Sequence, residues 1–501
     1  MKKRILSLLL VSSMLLSAAA LAGCGDTAEE TTADTTAGTA ETTVETKDAL
    51  EARLDVSDEL PEMDFGGQTF MVCGDDACID YYTVEEETGE TVNDAVFRRN
   101  MNVQERYNVL IDANVFPEDQ IVKNAKNSVM AADNAYQIIA CHIIYLGMAA
   151  VDGFMYDWYD LPHVDFEKPW WNSVIADELD FNNMLFLAVS DYCISAIDYT
   201  WAFVYNRDMA ADNGIGDLYD TVEEGAWDFD TFNSLCEQVS VDTDGDGNQG
   251  LNDQYGFVTH FNSAVVNWSF AFDIRYIVRD ENGDPTILPQ SDKMMTAVEK
   301  LYGLLHESGH ALYCPDAKIK EMGQPSHDLG VATFFEEGHA LFAALRIYVI
   351  DNLRDMEAEF GIIPFPKYDQ AQEAYYTHVD GHAPLMILPK TLQNVENAGL
   401  IMEALAYESN QLVVPAVYEI VLQSKYARDE ASSRMLDLIL DGRVYTFGYM
   451  YDNWKGMQWT ITNLMSQKSK DYASYYAKQL KSAETQLEAI IESYEKIEGT
   501  N

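Results

Sequence analysis

Basic residues are scarce: 32 Lys and Arg stand against 83 Asp and Glu in 501 residues, for a formal net charge of -51. A field of that sign repels phosphate backbones and anionic surfaces, which excludes nucleic acid as a partner and tolerates neutral or cationic ligands. Cysteine is scarce too, with seven residues and no C-x-x-C spacing of the kind that holds a thiolate-bound metal. The chain has no G-x-S-x-G elbow, no P-loop and no glycine fingerprint after its first strand, so the familiar hydrolase and nucleotide-binding signatures are missing. Carboxylates are so abundant that no pair can be singled out for glycoside hydrolysis. Beyond the first 20 residues no apolar run is long enough to cross a bilayer. What is present is 48% hydrophobic and 12% aromatic residues, enough for a packed core beneath an acidic surface.

At the N-terminus, Lys2, Lys3 and Arg4 precede an apolar run from Ile5 to Ala20 and then Leu21-Ala22-Gly23-Cys24. This is the layout of a secretory signal over residues 1–23. The last four residues resemble a bacterial lipobox, which implies that Cys24 becomes the lipid-modified N-terminus of a chain anchored on the outer face of the cell membrane. Residues 24–58 are rich in threonine, alanine and acid; with almost nothing to bury they read as a disordered tether. The other cysteines are Cys73, Cys78, Cys141, Cys193, Cys236 and Cys314. Cys73 and Cys78 are the one close pair, and both a disulfide and buried free thiols remain open.

Strand and helix signals alternate along the remainder. "GQTFMVCG" from Gly67 and "NVLIDANVF" from Asn108 read as strands, and Val92, Val96, Val103 and Tyr107 recur between them at helical intervals, giving a βαβ unit. "AYQIIACH" and "YTWAFVYN" are further apolar strands. The alternation predicts an α/β fold with mainly parallel sheets covered on both faces. Tyr476, Leu480, Ala483, Leu487, Ile490, Tyr494 and Ile497 form one stripe of a long C-terminal helix, expected to pack on its own lobe of a monomer.

"DTDGDGNQGLND", residues 242–253, places Asp242, Asp244, Asp246 and Asn248 at positions one, three, five and seven, Gly247 at six and Asp253 at twelve. That is the spacing of a calcium loop, in which a hard cation gathers oxygens from one tight turn. Asp253 stands where a bidentate glutamate is usual, and no flanking EF-hand helix pair is evident. Ca2+ here is expected to brace the loop without taking part in chemistry.

The aspartate turn runs into "NDQYGF" after a helix beginning "GAWDFDTFNSL". Together with "GETVNDAVFRRNMNVQERYNV", "DNAYQII", "FVYNRDMAADNGI", "FFEEGHALF", "FGIIPFPKYDQAQEAYY" and "SKYARDEASSRMLDLI" in that order, it resembles the extracellular solute-binding proteins of bacterial ABC importers, family 1, the carbohydrate-binding group. The resemblance runs over nearly the whole chain from Pro61. It implies a two-lobed, periplasmic-binding-protein-like fold of type II, with residues 59–200 and 380–425 in the first lobe and 201–379 and 426–501 in the second. "TWAFVYN", the stretch from His378 to Ala383 and that from Ser424 to Arg428 would be the crossings. Function would then be reversible binding of a sugar, an oligosaccharide first, handed to a permease on the same membrane. Another solute, or service as a receptor for a sensor kinase, remains open.

Sugar rings stack on aromatic faces while their hydroxyls need carboxylate, amide and guanidinium partners. Candidate ligand contacts, taken where cleft loops and crossings should fall, are Asp75, Asp76, Trp170, Trp171, Asp191, Tyr199, Trp201, Trp268, Arg275, Arg346, His378 and Trp454.

His306-Glu307-Ser308-Gly309-His310 matches the H-E-x-x-H spacing of zinc peptidases. Gly309 belongs at a helix C-terminus, which would end the helix inside the motif. A third ligand is also wanting, since of Glu321, Glu336 and Glu337 only the first is near. The reading as an exported zinc peptidase is therefore subordinate to binding.

Overall fold

The computed structural model describes residues 54–247, 250–281, 283–422, 430–451 and 456–498. The signal segment, Cys24, most of the tether, Asn248, the expected third crossing at 424–428, and Trp454 lie outside them. No helix among the described residues is long and apolar enough to cross a membrane.

The first sheet is built from β1 (Gln68–Asp75), β2 (Val109–Phe116), β3 (Ile138–Cys141), β4 (Met155–Tyr156) and β13 (Leu385–Pro389), in the order β2-β1-β3-β13-β4. A second has the order β11-β5-β10-β6-β9, with β5 (Trp201–Asn206), β6 (Tyr255–His260), β9 (Ala311–Cys314), β10 (Ala340–Arg346) and β11 (Phe360–Ile363). Two small ribbons complete the strands: β7 (Ile277–Arg279) with β8 (Pro285–Ile287), and β12 (Thr377–His378) with β14 (Arg443–Val444).

The first βαβ unit is as the apolar spacing predicts. β1 pairs in parallel with β2, and the helix between them, Thr91–Tyr107, buries Val96, Val103 and Tyr107 on one face. Its last turn ends at Asn108, whose φ of 49° is the left-handed conformation that asparagine tolerates after a helix. The sheets are mixed, however, and not mainly parallel. β13 runs antiparallel to β3 and β4, and β5 runs antiparallel to β10 and β11. The topology gives the reason: β5 and β13 are the strands that have just crossed from the other lobe, so they start where their new neighbours finish.

Those crossings lie side by side, joined by the antiparallel bridge Thr200–Val379. A third follows along the helix Val395–Glu408, a π turn at Ser409–Val413 and the helix Val414–Leu422. Leu400 to Ala406 belong to the first lobe's core, whereas Val413, Val414 and Val417 join a cluster that spans Val96 of the helix Thr91–Tyr107 and Leu345 of the second sheet. Single π turns inside helices recur at functional sites.

The helix Tyr472–Glu498 buries the predicted stripe but does not stay on the second lobe. Tyr472 and Tyr476 pack in the second core, and Leu487, Ile490, Tyr494 and Ile497 in the first. Tyr494 stacks on Phe186 at 5.6 Å. A stripe two core widths long can clamp two bodies, and periodicity alone does not say which. All six described cysteines are buried and free, Cys73 and Cys78 included; burial pushes the Cys73 thiol up to about 12, which suppresses the reactive thiolate.

Candidate functional site

In open α/β sheets, ligands bind beyond the carboxyl ends of parallel strands, where loops and unsatisfied side chains converge. Here four such ends bring charged or ionisable groups together: Asp75 closes β1, His142 follows β3, His260 closes β6 and Arg346 closes β10. The first two come from one sheet and the last two from the other. The returning segment Val379–Ala383 runs between them and adds Asp380 and His382.

Arg346 is the hub. Its side chain is 12% exposed and meets two nearly buried carboxylates, Asp328 from the helix His327–Glu336 and Asp380 at 3.3 Å. Three aromatic faces surround the guanidinium: Tyr199 at 5.2 Å, Trp201 at 5.6 Å and Tyr348 at 5.1 Å. Asp328 also faces His260 Nε2 at 3.3 Å and accepts from the Tyr348 hydroxyl at 2.8 Å. Burial works against both carboxylates, yet Arg346 with His382 holds Asp380 well below the usual range, and His260 with Arg346 does the same for Asp328.

On the first-lobe side, His382 Nδ1 lies 2.6 Å from Asp380 Oδ1. Burial disfavours its charge, but the bond to Asp380 and that residue's own charge raise its pKa. His142, edge-on to His382 at 4.8 Å, is driven the other way, to about 3, by burial and then by the neighbouring charge of His382. Gly381 permits this approach: a Cβ there would fall 2.6 Å from His142 Cε1. Asp75 accepts the backbone N–H groups of Ala77 and Cys78, each at 3.0 Å, and burial raises its pKa despite them. Tyr199 stacks on His382 at 6.2 Å and tilts against Tyr348 at 5.1 Å. Beside it opens a cavity of about 510 Å³ between lobes, walled by Tyr81, Asp198, Tyr348 and Val417.

Among the sequence-nominated residues, Asp75, Tyr199, Trp201 and Arg346 meet in this cluster, with Asp76 exposed beside it. His378 sits one step behind, on β12, stacked on Phe270 at 4.4 Å and 8°. Trp268 is fully buried in the second core against Phe203, Phe229 and Phe365. Arg275 pairs with Asp273 at 3.0 Å and lies over Tyr376, apart from the cluster. Trp170, Trp171 and Asp191 border a separate cavity of about 260 Å³. Both indoles there are buried and donate to one carboxylate, Glu403, at 2.7 Å each. Burial raises Glu403 to about 7 although those two bonds favour its charged form. The near-ultraviolet circular dichroism of the two indoles is therefore expected to titrate with a midpoint near pH 7 and to become flat in Glu403→Gln; an unchanged titration in that variant would assign the signal elsewhere.

Asp380, His382, His142, His260, Asp328 and Tyr348 were not nominated. The triplet His378, Asp380, His382 at an expected crossing was the available signal, since strand alternation puts residues two apart on one side, although His378 itself packs back on Phe270.

The aspartate loop lies between the helix Phe229–Val239 and β6. Ligand oxygens of Asp242, Asp244 and Asp246 lie within 4.8 Å of one another, all three residues exposed. Asp253 is 4% exposed and staples the loop, accepting from Thr243 N at 2.9 Å and Gly250 N at 2.7 Å. At the H-E-x-x-H stretch, Gly303–Glu307 is a π turn and Gly309 has a φ of 78°, so the helix ends inside the motif. His306 Nε2 is 3.0 Å from the Met465 carbonyl and Glu307 pairs with Lys470 at 2.6 Å. Among the described residues, the aspartate trio is the one grouping of His, Cys, Asp and Glu with convergent ligand atoms.

No family model matches the sequence, and no curated protein matches it. Solved structures do resemble the fold. The galacto-N-biose/lacto-N-biose I-binding protein of an ABC transporter from Bifidobacterium longum, in complex with lacto-N-biose, superposes with a TM-score of 0.57 at 11% identity, over 85% of this chain and 98% of that one. UgpB from Mycobacterium tuberculosis with glycerophosphocholine gives 0.55 at 13% identity, over 84% and 98%. An ABC substrate-binding protein from Listeria monocytogenes with cycloalternan gives 0.51 at 11%, over 87% and 99%. The two-lobed α/β binding-protein fold is thereby established for this chain.

Proposed function

We propose that this chain is the solute-binding subunit of an ABC importer, that it binds an oligosaccharide between its lobes, and that it is not an enzyme. The observation that carries the reading is the cluster around Arg346, where aromatic faces and fixed charges from both sheets and from the returning segment Val379–Ala383 converge beside an interlobe cavity. Stacking faces with hydrogen-bonding rims suit a polyhydroxylated ring. The fold's likeness to structures holding lacto-N-biose and cycloalternan supports the same class of ligand. A ligand touching both lobes stabilises the closed form because it makes contacts there that the open form lacks. Lipidation at Cys24 and residence on the outer face of the cell membrane, near a permease, belong to the same proposal, since the tether would raise the local concentration of loaded protein.

We further infer that Asp242, Asp244 and Asp246 hold a calcium ion that braces the loop entering β6. Three convergent carboxylates supply hard oxygen donors, and the ion would stiffen a segment of the second lobe.

Thermal melting of the lipid-free, metal-stripped protein tests both. An oligosaccharide at 100 times its Kd adds about 2.7 kcal/mol of stability, and a rise in Tm with one class of sugar is expected. Calcium, but not zinc, should raise Tm, and Asp244→Asn should lose that response. Silence across the sugar panel together with strong stabilisation by zinc would overturn the binding reading and favour a metallopeptidase.

A further inference from the structure

Among the described residues, the charged side chains of the cavity beside Tyr199 are of one sign. Its walls and rim carry Asp80, Glu90, Asp198 and Asp351, and among the described residues no Lys, Arg or His side chain lines it. Three of these acids are exposed. Asp198 is different. It ends the short helix Ser195–Asp198, it is partly withdrawn from solvent, and the hydrogen bond found on its carboxylate is donated by the neutral Tyr81 hydroxyl. Arg346, the guanidinium of the cluster, is committed to Asp328 and Asp380.

A carboxylate drawn out of water without a cation has given up hydration that a neutral donor does not restore. Its pKa accordingly rises to about 6, with burial as the leading cause and Tyr81 acting against it. Sugar hydroxyls can donate to such a group but bring no opposite charge. A bound ammonium supplies the charge, and Tyr81 and Tyr348 line the same walls. An anionic solute would add repulsion to each of the four acids.

We propose that the cavity walled by Tyr81, Asp198 and Tyr348 receives the protonated amine of a cationic solute, which on the carbohydrate reading above is an amino sugar. Asp198 is then a specificity-determining residue: it selects charge, while the cluster around Arg346 serves the rest of the ligand.

The test is isothermal titration at pH 6.5 and low salt with a glucosamine trisaccharide, its fully N-acetylated counterpart, maltotriose, and putrescine as a cation that is not a sugar. The free-amine trisaccharide is expected to bind about tenfold more tightly than the acetylated one, an advantage that high salt erodes. Asp198→Asn should abolish the advantage. Asp80→Asn, at an exposed rim position, should shrink it and guards against a folding defect in the first variant. Equal affinity for the two trisaccharides, or a preference that survives Asp198→Asn, overturns the amine site while leaving a sugar-binding protein. Putrescine binding that depends on Asp198, with no saccharide bound, overturns the carbohydrate reading and keeps the cation site. No binding by any of the four overturns both.

Discussion

Arg346→Met is expected to lower the unfolding free energy at pH 7 by about 3–5 kcal/mol, the usual result of stranding buried charge by removing its partner. Asp328 and Asp380 are 7% and 3% exposed at their side chains, and each is held ionised by the guanidinium between them. Without it their negative charges face one another across a desolvated gap, with His260 and His382 as the remaining partners. Both carboxylates should then take protons more readily, so the deficit in urea unfolding should shrink as the pH falls towards 4. Adding Asp380→Asn to Arg346→Met should restore part of the loss, giving a double-mutant coupling that simple loss of packing does not produce. A deficit below 1 kcal/mol, independent of pH, would show that the triad is solvated in solution and contributes little.

This triad also marks the limit of what the sequence discloses. Its arginine is legible because it ends a strongly apolar strand, Ala340–Arg346, and a strand end in such a fold is a place for function. Its carboxylates are not, for they are two among 83 acidic residues and what distinguishes them is burial. The elements themselves were legible wherever one period dominated: β1, the helix Thr91–Tyr107, β2, β5 and the C-terminal helix all fall where the apolar spacing puts them. Strand direction was not, because a fully apolar strand such as β5 carries no mark of its neighbours' orientation. Tryptophans misled for a related reason. Aromatic rings serve cores as well as ligands, and Trp268 answers to six core rings. The indole pair at 170 and 171 answers to Glu403, more than 200 positions away.

Histidine chemistry behind the cleft should dominate how the protein responds to acid. His378 is 1% exposed, both ring nitrogens lack hydrogen-bond partners among the described residues, and burial lowers its pKa to about 3. His142 is lowered to about 3 as well. For such groups the unfolded chain takes up protons near pH 6.5 while the native state refuses them. Their stability is therefore complete above 6.5 and is lost as the pH falls towards 3. At pH 4.5, two pH units at about 1.4 kcal/mol each give a loss of about 3 kcal/mol per histidine. Glu403, raised to about 7, has the opposite sense: what it contributes is complete below 4.5 and lost as the pH rises through 7. The wild-type profile is a compromise between the two. Only a difference between variants isolates either one. Phenylalanine at 378 keeps the stack on Phe270 and the edge contact with Tyr449 at 4.3 Å, and it removes a titrating ring without leaving a cavity. Urea unfolding at pH 7.5 and 4.5 should find His378→Phe relatively better off by about 3 kcal/mol at the lower pH, with the other titrations cancelling in the comparison. Parallel profiles for the two proteins would mean that His378 gains its proton without unfolding, through an opening of the segment that joins the lobes.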